Sequence, residues 1–98
     1  MKKGYWVVAY RSISDPAAAQ EYSKLAGPVI QASGGKAVVR TSDAIQAFEA
    51  GLKQRTVIVE FESFEKAVAT YHSDAYKVAL KALGSAAERD FRIVEGVD

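Results

Sequence analysis

The order of strand-like and helix-like segments predicts a ferredoxin-like α+β domain, a βαββαβ chain with one antiparallel sheet and its helices on a single face. Three observations carry this expectation. Segments rich in β-branched and aromatic residues recur so that each half of the chain reads strand, helix, strand. The helical segments open on residues that cap free backbone N–H groups. Alternation then sorts the strand residues into two faces, and both are substantially apolar.

Tyr5–Ile13 is aromatic and β-branched and reads as the first strand. "SDP" at 14–16 follows, where Asp15 can cap a helix and Pro16 suits its first turn. Ala18, Ala19, Tyr22, Leu25, Ala26, Val29 and Ile30 recur at the spacing of one helical face. Pro28 inside that stretch kinks or tightens it, and Gly34-Gly35 ends it. "KAVVRT" is the second strand. The segment "SDAIQAFEAGLKQ" has helical spacing at Ile45, Phe48 and Leu52, but reads better as a hairpin extension turning at Gly51. "RTVIVEF" is the clearest strand. Ser63 opens a short helix holding Ala67, Val68 and Tyr71, and Ser73 caps another whose face runs Tyr76, Ala79, Leu80, Leu83 and Ala87. "DFRIVEG" closes the sheet.

Alternation in "RTVIVEF" sets Val57, Val59 and Phe61 against Thr56, Ile58 and Glu60, and the all-apolar set is expected to meet the helices. In the first strand Trp6, Val8 and Tyr10 share one side, and Tyr5, Val7 and Ala9 the other. A monomer with one wet sheet face would show cleaner alternation. A homodimer formed by packing two sheets face to face is therefore expected.

The totals fit a single domain over 1–98. Hydrophobic residues make up 49% and charged residues 26%, which is globular rather than disordered. Thirteen basic and 12 acidic residues are interspersed for a net +1, so no basic stripe marks nucleic acid as a partner. The apolar run Tyr5–Tyr10 ends at Arg11, too short for a signal peptide or a membrane span, so no membrane association is expected. The absence of cysteine excludes disulfides, thiol nucleophiles and thiolate metal sites, and a cytoplasmic location is the default. One histidine, with no metal-binding spacing around it, leads us to expect no metal or haem cofactor.

"KGYWVVAY", the "DP" helix start, "GGKAVVR", "TVIVEF", "YHSDAYKVAL" and "AERDFRIVEGVD" follow one another in an order and spacing that resemble domain of unknown function family 1330, of the dimeric α/β-barrel superfamily. The resemblance covers nearly the whole chain. It is most specific in "ERD-IVEG" and "S-x-x-Y" and weakest over 42–54. It implies a ferredoxin-like protomer paired into a barrel, and it implies no reaction. The wider superfamily includes cofactor-free monooxygenases, lactone isomerases and haem-degrading enzymes, and fold analogy does not choose among them.

The candidate site residues each have a structural alternative. Arg40 and Glu60, on strands expected to be neighbours, form either an anion anchor with a general base or an ion pair at the dimer seam. Glu60 is the first acid–base candidate, because enclosure would raise its pKa. Tyr22, Tyr71 and Tyr76 would line a ligand cavity or simply pack the core. His72 is the second acid–base candidate. It falls between the end of one short helix and the cap of the next, where a polar linker residue is the expected role. Ser73 reads as a cap, and the contiguous His72, Ser73 and Asp74 cannot converge as a triad. Two functions remain: a small-molecule-binding dimer, including a cofactor-independent acid–base enzyme, or a non-catalytic assembly module whose apolar barrel interior serves dimerisation alone.

Overall fold

Each helix begins on the side chain the sequence offers for it. In the computed structural model, which describes residues 2–98, the Asp15 carboxylate accepts from the Ala18 N–H at 3.2 Å and opens α1, Pro16–Ala32. Ser63 accepts from the Lys66 N–H to open α2, Phe64–Tyr71, and Ser73 from the Tyr76 N–H to open α3, Asp74–Leu83. These bonds satisfy donors that the first turn of a helix cannot pair internally. Pro28 lies within α1, which continues through it as helix.

The strands are β1 (Gly4–Ile13), β2 (Lys36–Thr41), β3 (Thr56–Phe61) and β4 (Ala87–Glu95). They form one antiparallel sheet in the order β2-β3-β1-β4, the ferredoxin-like arrangement. Trp6, Val8 and Tyr10 are buried beneath the helices with Val59 and Phe61, as alternation predicts. Trp6 is the hub: its ring centroid lies 5.0 Å from Phe61, 4.9 Å from Tyr76 and 5.1 Å from Phe91, and its indole N–H donates to the Ala67 carbonyl at 2.9 Å. Gly4 makes room for α2, since a Cβ there would sit 2.3 Å from the Ser63 carbonyl oxygen.

Three details differ from the sequence expectation. Residues 42–55 form neither a hairpin nor a helix but an irregular connection. The Thr41 hydroxyl captures the N–H groups of Asp43 and Ala44, bending the chain away at the end of β2, and Glu49 at φ +53° interrupts helical geometry. Helix α3 stops at Leu83, where Gly84 takes φ +53°, so Ala87 begins β4 instead of extending the helical face. A β-bulge between Ala37 and Val39 shifts the β2 register.

The opposite face of the sheet carries Val39, Ile58 and Val7 side by side in register, flanked by Tyr5, Ala9 and Val94. Among the described residues no helix is long and apolar enough to cross a membrane.

Candidate functional site

Where α1 crosses the sheet it leaves a cleft of about 690 Å³. Trp6, Val8, Val57 and Val59 form its floor, and Tyr22, Ala26 and Ile30 of α1 form its wall. The size and apolar lining are those of a small-molecule pocket. Arg40, Arg55 and Arg89 also line it, and no Asp or Glu does.

Register explains how these cations meet. Arg89 is the cross-strand partner of Tyr10, and the Tyr10 N–H donates to the Arg55 carbonyl at 2.9 Å. Arg89, Tyr10 and Arg55 therefore stand in one row across β4, β1 and the start of β3, all on the helix face. Arg55 is held by the Ser42 hydroxyl at 3.2 Å. Arg40 sits in the next row, paired with Val57, at the exposed β2 edge of the cleft.

Arg89 is the half-buried member, with its guanidinium carbon 4.9 Å from the Tyr22 ring centroid, 5.6 Å from that of Tyr10 and 5.1 Å from that of Phe91. Its Nη1 donates to the Tyr22 hydroxyl at 3.1 Å, and that hydroxyl is 2.6 Å from the hydroxyl of the fully buried Tyr76. Arg89 belongs to none of the ion pairs formed by the described residues. Burial alone would push its pKa down. The surrounding Tyr22 and Tyr76 phenols outweigh that, so the guanidinium remains charged. Tyr76 is pushed well above the usual phenol range, by burial first and by Tyr22 second, with Arg89 acting in the opposite direction.

The structure brings together only part of the residue set read from sequence. Tyr22 lines the cleft, Tyr76 stands behind it, and Arg40 reaches its rim. Tyr71 lies outside the cleft, its ring packed 5.0 Å from Phe91 and 5.3 Å from Tyr76. Arg40 and Glu60 do not meet within the chain: the β2 bulge turns Arg40 to the helix face, while Glu60 accepts from the Tyr5 hydroxyl at 3.1 Å on the opposite face. His72 is exposed at the end of α2, its N–H bonded to the Val68 carbonyl, and Ser73 beside it makes the expected cap. Neither Glu60 nor His72 lines the cleft. Among the described residues no three His, Cys, Asp or Glu gather as a metal site requires.

Arg89 and Arg55 are the residues that sequence reasoning missed. The signal for Arg89 was present, because alternation in "RDFRI" joins it to Phe91 and Ile93, placing a cation in an otherwise apolar, helix-facing set. Arg55 gave the same signal, since alternation in "RTVIVEF" joins it to Val57, Val59 and Phe61.

Comparison with known proteins agrees with this architecture. A protein of unknown function from Rhodopseudomonas palustris superposes with a TM-score of 0.76 at 16% identity, over 99% of this chain and 84% of that one. Two proteins assigned provisionally as antibiotic biosynthesis monooxygenases also superpose. The one from Caulobacter crescentus gives a TM-score of 0.61 at 18% identity, covering 99% of this chain and 92% of its own. The one from Nitrosomonas europaea gives 0.62 at 16% identity, covering 98% and 99%. At such identities the likeness is one of fold. No curated protein matches the chain. The sequence pattern of one family, described as a domain of unknown function, DUF1330, matches residues 3–97, and the chain belongs to that family.

Proposed function

We propose that the protein is a cytoplasmic homodimer that binds a small anionic molecule with an apolar body in the cleft between α1 and the sheet. The observation that carries this reading is Arg89, a half-buried cation ringed by three aromatic side chains, with no carboxylate partner among the described residues and no acid in the cleft lining. An enclosed guanidinium normally has an anion to offset its desolvation. Here the site left open beside it has room for a ligand to supply that anion. Arg55 and Arg40 extend the positive field toward the rim, which favours capture of an anion over its neutral analogue.

Dimerisation and ligand binding use opposite faces of the sheet. The row Val39, Ile58 and Val7 supports pairing with a second copy, and the cleft lies beyond the sheet from it. A filled dimer interface is thus compatible with an open site, which favours the binding reading over a module devoted to assembly alone. Acid–base chemistry by Glu60 or His72 has no support from the cleft, because neither side chain faces it.

A thermal-shift comparison of aromatic carboxylates with their neutral amides tests the proposal. A carboxylate at about 100 times its dissociation constant adds about 2.7 kcal/mol of stability, while the amide adds far less. Arg89→Met removes the difference and the exposed control Arg11→Met keeps it. Equal shifts for acid and amide, or an undiminished shift in Arg89→Met, would overturn the proposal.

A further inference from the structure

We infer that Tyr22 is a dedicated hydrogen-bond donor aimed into the cleft, and that the site it forms with Arg89 selects a planar ligand bearing an ionised hydroxyl oxygen, a phenolate or an enolate. This rests on the anion-binding reading above and adds the chemical class of the anion.

Two hydroxyls, those of Tyr22 and Tyr76, share one contact of 2.6 Å, which can hold only one of their two protons. Tyr76 is fully buried, and among the described residues the Tyr22 oxygen is the one acceptor hydrogen-bonded to its hydroxyl. If Tyr22 donated to Tyr76, the Tyr76 proton would be a buried donor with no acceptor, an arrangement folded proteins avoid. Tyr76 is therefore the donor of the pair. The Tyr22 oxygen also receives the Arg89 Nη1 proton at 3.1 Å, so both of its acceptor positions are filled. Its own proton has nowhere to go but the cleft, which Tyr22 lines and Tyr76 does not.

Such a hydroxyl differs from an ordinary tyrosine in two respects. It cannot accept from a ligand, so a ligand O–H or N–H placed against it is left unpaired. It is also polarised by the two donors behind it, one of them cationic, which strengthens its bond to a negative oxygen. Fixed donors of this kind stabilise an oxyanion without reorganising. An Nη1 proton of Arg89 is already committed to Tyr22. The guanidinium keeps further N–H donors, and one of them together with the Tyr22 O–H offers a single negative oxygen two donors at once. The Trp6, Tyr10 and Tyr22 rings, with Val8, Val57 and Val59, provide the apolar walls for a flat body.

The test uses 4-nitrophenol, which ionises near neutral pH and is yellow only when ionised, alongside benzoate, both added to the intact protein across a pH series. The bound nitrophenol is expected to ionise at least one pH unit below the free compound, a preference of about tenfold for the ionised form. In Tyr22→Phe most of that displacement disappears, while benzoate still binds through Arg89 and reports an intact fold. In Tyr76→Phe the displacement is smaller than in the wild type. Bound nitrophenol ionising at its free value, or a full displacement surviving in Tyr22→Phe, overturns the inference. Arg89-dependent benzoate binding in that case leaves the anion-binding reading standing. If neither compound binds at millimolar concentration, both readings fall.

Discussion

Removing the Tyr76 hydroxyl should change sign in its effect on stability as the solution becomes alkaline. At neutral pH, Tyr76→Phe loses the 2.6 Å bond to Tyr22 but keeps the ring packing against Trp6, Tyr71 and Tyr22. One such hydrogen bond contributes about 1 kcal/mol, so the wild type is the more stable by about that amount. In the unfolded chain Tyr76 ionises at the ordinary value of about 10. In the folded chain burial, reinforced by Tyr22, pushes its pKa well above that. A raised folded pKa means that the contribution is complete below the ordinary value and drains away as pH climbs from there toward the folded one. The loss is about 1.4 kcal/mol per pH unit. The phenylalanine variant carries no such group, and every other tyrosine is common to both proteins. The two stabilities should therefore cross near pH 11, about one unit above the ordinary phenol pKa, with the variant the more stable beyond it. Urea denaturation followed by Trp6 fluorescence at a series of pH values measures the gap. A gap that stays constant from neutral to strongly alkaline pH would show that Tyr76 ionises as easily folded as unfolded, and the proton count at Tyr22 would lose its basis.

Light scattering at micromolar concentration should give a two-chain mass for the wild type and a one-chain mass for Ile58→Asp, which places a charge in the centre of the apolar row; a monomeric wild type would remove the reason for that row. Truncations of Arg40 and Glu60 should be additive to within about 0.5 kcal/mol, since the two face opposite sides of the sheet, and strong coupling in the double-mutant cycle would contradict the bulged register of β2. His72→Asn should cost at most about 1 kcal/mol and leave ligand affinity unchanged, because the backbone of His72 ends α2 and its side chain is exposed; loss of binding in a folded His72→Asn protein would bring that side chain into the site.

Local chemistry was enough to specify the elements and their helix-facing sides. Asp15, Ser63 and Ser73 mark the helix starts because a capping oxygen needs only the N–H groups two or three residues ahead of it. Val57, Val59 and Phe61 announce their buried face because side chains alternate within a strand whatever its neighbour does. His72 could be read as a junction from Tyr71 and Ser73 alone. The order βαββαβ then left few ways to build the sheet.

What the sequence could not decide depended on pairs of segments. Alternation assigns faces along one strand, but which residue stands opposite which is a property of two strands, and one extra residue in β2 is enough to carry Arg40 to the face away from Glu60. The same holds for the cleft. Arg89 becomes an enclosed cation only because β1 sets Tyr10 beside it and α1 lays Tyr22 over it, residues separated from it along the chain by most of the domain. The chain from Ser42 to Arg55 shows the limit from the other side. Ile45, Phe48 and Leu52 have a helical spacing, yet a periodic apolar stripe becomes a helix only when something packs against it, and here Phe48 remains 72% exposed.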